Sequence, residues 1–342
     1  MKIAFLTRRG ERSGSARVRV YQYLKYLQDL QVETAVLPRP SRSGPLAHGS
    51  YLAQALRLAS WADVLVLQKP NQSKKLIDIL MWVNRRLIVD IDDAVWCAPL
   101  TKSGSSAEKL SRKFTERFLY AVERSNFVIT GSNHLARATR NFFPKAEIIS
   151  IPSSVDLKTY KIPKMNEPKQ NLTIGWIGNP GNFSNLYHIL PVLRTVCSEF
   201  KAKIKIISSC PPEFNGLPLE FEKWSVETEV QRLLEFDIGI MPLDNDQRSL
   251  GRCGYKAIQY MAVGVPVVST GLGAGAEVVQ DSITGFHANT PDEWLTCLRL
   301  LIEDASLRQT MGQQGRKRVE SLYSVETNVH SLLDAFRRRM SL

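Results

Sequence analysis

Short apolar runs alternate with longer segments of helical spacing along almost the whole chain, and this alternation constrains the fold more than any other feature. The strand-like runs cover residues 2–7, 34–38, 64–68, 87–91, 127–131, 147–152, 172–178, 204–208, 237–242 and 265–270. Strands separated by helices need crossover connections, which favour parallel pairing within one sheet. The sequence therefore predicts an α/β protein.

The alternation pauses once, in the polar and proline-rich segment "PSSVDLKTYKIPKMNEPKQN". A chain of 342 residues also exceeds the usual size of one domain. Two Rossmann-like domains are expected, with parallel sheets facing a central cleft, because ligands of such sheets bind at the carboxyl ends of the strands. The predicted boundaries are an N-terminal domain over 1–155, a linker over 156–170, a second domain over 171–325 and a final helix over 326–342 that can cross back to the first domain.

The positive charge of the chain lies entirely in its N-terminal part. The net charge is +12, and residues 1–150 hold 24 Lys and Arg against 12 Asp and Glu, whereas residues 151–342 hold 21 of each. Such an asymmetry suits an anionic partner such as phospholipid headgroups or an acidic glycan, although a basic surface that only aids solubility is the alternative. A nucleic-acid partner is not expected, because the chain contains no recognisable reader motif.

Cysteine usage and the start of the chain bear on location. The five cysteines form no CxxC pair, which argues against a zinc site or a disulfide framework, and the N-terminus lacks a long apolar signal core. A cytoplasmic protein is therefore expected. The basic helical segment 103–125, together with Trp82, Arg85 and Arg86, could rest on the inner face of the cytoplasmic membrane as a peripheral contact. A crossover helix packed on the sheet is the alternative interpretation of that segment.

The stretch "GRCGYKAIQYMAVGVPVVST" contains the strongest signal for a ligand. If a helix begins near Arg252 or Cys253, then Arg252, Lys256 and Gln259 lie on one of its faces. Cations in a first helical turn oppose the helix dipole, but a phosphate bound there would use both the cations and the backbone N–H groups. The spacing allows either a phosphate site or an ordinary solvated basic face.

Four segments resemble one protein family along nearly the full length. The stretch from 251 to 285 resembles the signature of retaining GT-B glycosyltransferases of family 4 type (glycosyl transferases group 1). "GSARVRVYQYL" (14–24), "LIVDIDDAVW" (87–96) and "IGWIGNPGNFSNL" (174–186) are similar to other parts of a bacterial branch of that family. The resemblance implies a GT-B fold and a transferase whose nucleotide-sugar donor is bound mainly by the second domain.

The resemblance also implies a set of donor residues. In many members two glutamates eight positions apart hold the donor, but here those positions are Gly251 and Gln259. Glutamine at the later of the two positions recurs in the bacterial branch that the sequence resembles. A glutamine oxygen can still accept a hydrogen bond from a ribose hydroxyl, though without the strength of a charged acceptor. The implied donor-binding residues are Gly14, Ser15, Arg17, Gly178, Asn179, Gln259, Gly273, Ala274 and Glu277. Glu277 could instead cap a helix.

Arg252 and Lys256 are the candidate catalytic cations, which would stabilise the leaving diphosphate. Asp92 and Asp93, in "DIDD", are predicted on the acceptor side, where they would contact acceptor hydroxyls, order a basic neighbour or simply form a turn. No metal is predicted, because a metal would need further oxygen ligands and the resembling family does not depend on one. No cofactor is implied. The donor substrate is a UDP- or GDP-sugar, between which the sequence does not choose.

The sequence thus predicts a glycosyltransferase of cell-envelope polysaccharide biosynthesis that moves a sugar to a cell-surface glycan or a lipid-linked, anionic acceptor. Transfer is expected to be retaining and metal-independent. Two alternatives stay open. One is a non-catalytic GT-B-like protein that binds a nucleotide or glycan and supports a partner enzyme, which the missing carboxylates favour. The other is a sugar-nucleotide epimerase, which the sparse histidines disfavour.

Overall fold

The computed structural model describes residues 1–40, 44–97, 104–162 and 172–338, with side chains of the helix that begins at 104 described from residue 108. Residues 163–170 of the predicted linker and 339–342 of the predicted final helix lie outside the described residues. The chain forms two compact units. The first contains Met1–Ser154, Gly251–Cys253 and the residues from Val325 onward, and the second contains Val155–Leu250 and Gly254–Ser324.

The first unit is built on a six-stranded parallel sheet. Its strands are β1 (Lys2–Thr7), β2 (Glu33–Pro38), β3 (Val64–Gln68), β4 (Leu87–Ile91), β5 (Phe127–Thr130) and β6 (Ile148–Ser150). They follow the order β2-β1-β3-β4-β5-β6, so the direction of strand addition changes between β1 and β3. Such a switch point leaves a crevice at the carboxyl ends of the two strands, where ligands of open α/β sheets bind.

Helices cover both faces of this sheet, and β3, β4 and β5 are buried along their whole length, which explains their uninterrupted apolar sequences. The helices are α1 (Gly14–Ala16), α2 (Gln22–Asp29), α3 (Pro45–Trp61), α4 (Lys74–Val83), α5 (Gly104–Arg124) and α6 (Asn133–Phe142), with a π-helical turn over Arg17–Tyr21. The last helix of the chain, Val325–Arg337, also belongs to this unit. Its Phe336 ring lies 6.4 Å from that of Phe5 in the core.

The second unit holds another six-stranded parallel sheet. Its strands are β7 (Thr173–Ile177), β8 (Lys203–Ser208), β9 (Leu219–Lys223), β10 (Ile238–Met241), β11 (Val267–Ser269) and β12 (Gly285–His287). The order β12-β11-β10-β7-β8-β9 is that of a Rossmann sheet, with its switch point between β7 and β10. A candidate donor site is therefore expected at the carboxyl ends of these two strands.

The helices of the second unit follow the same βα alternation. They are α7 (Ser184–Tyr187), α8 (Leu190–Phe200), α9 (Glu229–Leu233), α10 (Gln247–Leu250), α11 (Tyr255–Ala262), α12 (Gly273–Val278), α13 (Pro291–Glu303) and α14 (Ala305–Leu322), after which the Val325–Arg337 helix is α15. A 3-10 turn covers Pro180–Asn182. The predicted α/β class with two Rossmann-like parallel sheets is confirmed. Within the described ranges, no helix combines the length and apolar character needed to cross a membrane.

Candidate functional site

Helix α11 carries Lys256 and Gln259, and it begins at Tyr255 rather than near Arg252. Gly254 precedes it with φ +63°, a left-handed conformation that interrupts a right-handed helix. A Cβ at this position would also lie 2.9 Å from Val278 Cγ2. The predicted helix start is therefore wrong, and helical spacing does not relate Arg252 to Lys256.

Arg252 belongs with the first unit, next to Cys253. Cys253 is buried in the core of that unit, and its thiol donates to the backbone oxygen of Asp92 at 2.8 Å. The Nε atom of Arg252 is buried and has no hydrogen-bond partner among the described residues. A buried donor of this kind calls for an acceptor, which an anionic ligand would supply.

The side chain of Lys256 lies against the end of β7. Its Nζ is 5.1 Å from the centroid of the Trp176 ring, within the range of a cation–π interaction. At Gly178, a Cβ would lie 2.7 Å from Lys256 Cε and 2.6 Å from Trp176 Cη2. The absence of a side chain at Gly178 therefore leaves room for the Lys256 side chain. The adjoining Asn179 is exposed.

Gln259 is held by a buried polar network within the second unit. Its Nε2 donates to the Tyr160 hydroxyl at 2.8 Å, and that hydroxyl donates to Glu229 Oε1 at 2.9 Å. Trp224 Nε1 donates to the other oxygen of Glu229 at 2.7 Å. Gln259, Tyr160 and Glu229 are each less than 5% exposed. The side chain at the donor-site position is therefore fixed by residues from the predicted linker and from α9.

This network determines which way the amide points. A phenol has one proton, and here the Tyr160 proton goes to the Glu229 carboxylate, so the partner at 259 has to donate. Gln259 does so with Nε2, which leaves Oε1 as an acceptor. A glutamate at 259 has no proton to donate at neutral pH. An amide at 259 therefore fits this surrounding, whereas an ionised carboxylate does not.

Helix α12 holds the remaining predicted donor residues of the second unit. Gly273 has φ +53°, and a Cβ there would lie 2.8 Å from the Leu250 carbonyl oxygen. Ala274 follows it, buried in the first turn. Glu277 is half-buried in the last turn, where its backbone oxygen accepts from Arg318 at 3.0 Å and from the Tyr323 hydroxyl at 3.2 Å. The glycine-rich turn is thus held closely against the unit.

A second polar cluster lies in the first unit, at the carboxyl ends of β3 and β4. Ser15 Oγ donates to Asp92 Oδ2 at 2.6 Å and accepts from Gln68 Nε2 at 2.8 Å. Lys69 Nζ lies 3.0 Å from Asp92 Oδ1 and 3.3 Å from Asp93 Oδ2. The contact with Oδ1 is an ion pair without the alignment of a hydrogen bond, since Oδ1 receives none in the described structure. Three predicted residues thus meet at the switch point of the sheet.

Charges within this cluster stabilise one another. Burial raises the pKa of Asp92, but the Lys69 ammonium and the hydrogen bond from Ser15 outweigh it and bring the pKa below the ordinary value. Burial lowers the pKa of Lys69, yet the two aspartates raise it well above the usual value. Lys69 also has φ +52°, a left-handed backbone that is uncommon for lysine. Asp92 and Lys69 are therefore both charged at neutral pH.

The neighbouring residues Arg19 and Asp90 bind each other and do not join the cluster. Arg19 is buried and binds Asp90 through two hydrogen bonds of 3.1 and 2.6 Å, while its third nitrogen donates to Ile151 O. Arg17 is half-buried in the π-helical turn. Gly14 is exposed, and a Cβ there would meet no described atom within 4 Å. Arg19 and Asp90 stabilise the unit, so Asp92 and Asp93 are the acidic residues at the edge.

Sequence reasoning missed five residues of these clusters, which are Gln68, Lys69, Tyr160, Trp224 and Glu229. Gln68 and Lys69 end a strand, which was the only signal available for them. Tyr160 and Glu229 are far from Gln259 in sequence and carry no motif. Among the described residues, no group of three or more His, Cys, Asp or Glu side chains is placed to hold a metal ion.

Comparison with known proteins gives sequence matches for part of the chain. Residues 172–304 match the family described as "Glycosyl transferases group 1". A segment of 73 residues is 37% identical to the capsular polysaccharide biosynthesis glycosyltransferase CapM of Staphylococcus aureus. That segment is 21% of this chain and only 19% of CapM, so the chain matches about a fifth of the curated relative.

Solved structures match over nearly the full chain. HepE of Anabaena, solved in complex with UDP and glucose, superposes with a TM-score of 0.71 at 14% identity over 99% of this chain and 100% of that one. The sucrose-phosphate synthase of Thermosynechococcus elongatus gives a TM-score of 0.74 at 13% identity, covering 99% of each chain. The fold is that of the GT-B glycosyltransferases.

Proposed function

We propose that this protein is a glycosyltransferase that moves a sugar from a nucleotide-sugar to a cell-surface glycan or a lipid-linked acceptor in polysaccharide biosynthesis. The observation that carries the proposal is the arrangement of Lys256, Gly178 and Gln259 at the switch point of the second sheet. This arrangement lies within the segment that matches the group 1 family. A cation, an open backbone turn and a fixed amide oxygen are groups that a diphosphate and a ribose would use.

UDP is the nucleotide we favour for the donor. HepE, which shares the fold, was solved with UDP and with UDP-glucose. GDP-sugars are the alternative donors, and the titration described below compares them with UDP-sugars. In this assignment the Gln259 oxygen accepts from a ribose hydroxyl, and Asn179, Gly273, Ala274 and Glu277 complete the donor site.

The reaction we propose retains the anomeric configuration and uses no metal. The bond between the anomeric carbon and the donor phosphate oxygen breaks, and the acceptor oxygen forms the new bond on the same face. The acceptor proton passes to an oxygen of the departing diphosphate, so no protein nucleophile is needed. Lys256 and Arg252 stabilise the negative charge that develops on the leaving group, which in a dry site supplies several kcal/mol.

The acceptor is proposed to bind at the cluster of the first unit. Asp93 is the more open of the two aspartates, with 40% of its side chain exposed against 11% for Asp92. Asp93 would therefore accept from an acceptor hydroxyl, while Asp92 and Ser15 hold Lys69 and the loop in position. Gly14 begins α1 and Arg17 begins the π-helical turn that follows it, and both are proposed to contact the donor phosphates.

We further propose that the first unit contacts an anionic membrane as a peripheral protein. Helix α4 supports this, because Lys75, Ile79 and Trp82 share its exposed face and Arg85 and Arg86 follow it. Trp82 is 87% exposed, which is unusual for so large an apolar side chain. Arg117 of α5 does not belong to this surface, because it is held by Asn71.

Calorimetric titration with UDP- and GDP-sugars tests the main proposal. Wild type should bind one donor, and Lys256→Ala should weaken it by roughly 10–100-fold, because a hydrogen bond to a charged group is worth about 1.5–3 kcal/mol. Lys317→Ala, an exposed lysine of the same unit, is the matched control and should bind like wild type. Donor hydrolysis or transfer would then be measured with the variants.

One rival function has an observation in its favour. Gly251 offers no side chain at the position of the first family glutamate, so a protein that binds the nucleotide without transferring a sugar is the second candidate. Donor binding without turnover over a panel of glycan and lipid acceptors would support that candidate. If no nucleotide-sugar binds the wild type, both proposals are wrong.

A further inference from the structure

Three arginines converge at the carboxyl edge of the first sheet, beside the polar cluster that contains Lys69, Asp92 and Asp93. Arg8 follows β1, Arg39 follows β2 and Arg117 reaches in from α5. Arg39 Nη1 and Arg117 Nη1 both donate to the backbone oxygen of Asn71, at 3.3 and 2.8 Å. Arg117 Nη1 also donates to Asn71 Oδ1 at 2.8 Å. Two guanidinium groups thus share one oxygen atom, which brings like charges close together.

Among the described residues, none of these three arginines forms a direct ion pair with a carboxylate. Within the described ranges, no Asp or Glu oxygen lies within 4 Å of a nitrogen of Arg8, Arg39 or Arg117. In the sequence, segments 41–43 and 98–103 contain no acidic residue. The Arg8 guanidinium lies 5.7 Å from the centroid of the Phe114 ring, which is an uncharged partner.

The electrostatics of the cluster are those of crowded and partly buried cations. Burial, followed by the charges of Arg9 and Arg39, lowers the pKa of Arg8, although Asp93 and Asp92 act in the opposite direction. Burial and the charge of Arg39 lower the pKa of Arg117. Like charges that are gathered without a directly paired carboxylate destabilise a fold, and an oxyanion bound by several guanidinium groups reduces that repulsion.

We propose that Arg8, Arg39 and Arg117 form an anion subsite that binds a negatively charged oxyanion group of the acceptor. The proposal rests on the proposed glycosyltransferase function and specifies its acceptor. The cluster lies on the first unit with Asp93 and Lys69, whereas Lys256, Gln259 and α12 belong to the second. The anion is either a phosphate of a lipid-linked acceptor or a carboxylate of an acidic sugar, which present the same chemistry to a guanidinium.

The experiment titrates the full-length protein at low ionic strength, with saturating UDP present to fill the donor site. Inorganic pyrophosphate represents the phosphate source and glucuronate the carboxylate source. We expect one or both to bind wild type and to bind less tightly as salt is added. Binding of pyrophosphate alone would identify a phosphate acceptor, and binding of glucuronate alone an acidic sugar.

Arg39→Gln is the informative variant, because it removes the charge and keeps a polar side chain at this position. This variant should lower the affinity for the anion by about tenfold or more, because hydrogen bonds between charged groups are among the stronger ones. Arg117→Gln is the second variant, and the folded state of each is checked by circular dichroism. Arg57→Gln, at an exposed arginine of α3 in the same unit, should change nothing.

The outcomes separate this inference from the proposed function. If UDP binds but neither anion does, or if both variants bind the anion like wild type, the anion subsite is wrong and the glycosyltransferase proposal is untouched. If Arg39→Gln weakens UDP as much as pyrophosphate, the cluster serves the donor and the inference is overturned. If UDP does not bind wild type, the proposed function fails, and the same titrations without UDP decide whether the cluster binds anions.

Discussion

At the scale of single residues, Gln259 is one of two positions, with Gly251, where the sequence differs from the two-glutamate pattern expected from the resemblance. The difference at Gln259 is explained by a hydrogen bond that the sequence does not reveal. The Tyr160 hydroxyl gives its only proton to Glu229, so it can only accept from residue 259. The amide at 259 is matched to a carboxylate that is 30 positions earlier in the chain.

Gln259→Glu is therefore expected to destabilise the second unit at neutral pH. Two buried carboxylates would compete for one phenol proton, and an unsatisfied buried acceptor costs about 1–3 kcal/mol. Burial raises the pKa of the introduced glutamate, so the folded state binds more protons than the unfolded state. Stability should then increase as the pH falls through the raised value towards the unfolded one. Urea unfolding at a series of pH values measures this.

The double variant Gln259→Glu with Glu229→Gln is the control for that interpretation. It exchanges acceptor and donor, so that Tyr160 donates to the new carboxylate at position 259 and accepts from the new amide at position 229. Stability should return most of the way to wild type. If the double variant is no more stable than the single one, hydrogen-bond matching around Tyr160 does not explain the glutamine.

At the scale of elements, the ten strands predicted from sequence are all present, because buried parallel strands read as continuous apolar runs. Two strands had no such signal. β9 is an edge strand of sequence "LEFEK" that is only partly buried, and β12 has three residues. Edge strands contact the core on fewer sides, so their sequences are less constrained.

The candidate site was predictable in part. Ser15, Asp92 and Asp93 were each singled out in the sequence, but the hydrogen bond between Ser15 and Asp92 and the ion pairs to Lys69 depend on the order of strands β1, β3 and β4. The predicted start of α11 was wrong by two or three residues because a glycine can take either backbone hand. Only the structure gives Gly254 its positive φ.

Gly254→Ala tests how strongly that residue limits α11. A left-handed conformation costs a residue with a Cβ about 1–2 kcal/mol, and the new methyl would press on Val278. The urea midpoint should fall, and UDP binding should weaken as Lys256 moves with the helix. Gly181→Ala is the matched control, because its Cβ would meet no described atom within 4 Å. An equal loss in both variants would contradict the explanation.

At the scale of the whole molecule, the net charge of +12 comes from residues 1–150. Part of this charge is in the arginine cluster at the sheet edge, and part is on the exposed face of α4. The arginine cluster is proposed to bind an anionic group of the acceptor, and the face of α4 is proposed to bind an anionic membrane. A soluble anion would compete for the first, whereas a lipid surface would need both the charges and the exposed Trp82 of the second.

Trp82→Ser is expected to reduce binding to vesicles of anionic phospholipid by roughly tenfold, because burying a large apolar side chain is worth about 1.5–3 kcal/mol. Vesicle sedimentation measures the bound fraction, and vesicles of neutral lipid should bind less of the wild type. Val226→Ser, at a 45% exposed residue of the second unit, is the control. Equal sedimentation of the Trp82 variant and wild type would remove α4 from the membrane proposal.

The chain leaves the first unit after Ser154 and returns to it at Val325, so the second unit is nearly one uninterrupted insert. Only the three residues Gly251–Cys253 break it, and they carry Arg252 and the buried Cys253. For protein engineering, the second unit can be exchanged at two junctions, one before Val155 and one after Ser324. Under the proposed function, a chimera that exchanges 155–324 for the equivalent part of another GT-B protein is expected to take on the donor specificity of that protein. The exchanged part needs a three-residue segment that fits the first unit in the place of Gly251–Cys253. A cut at 324, by contrast, would remove α15 and its Phe336 from the host core.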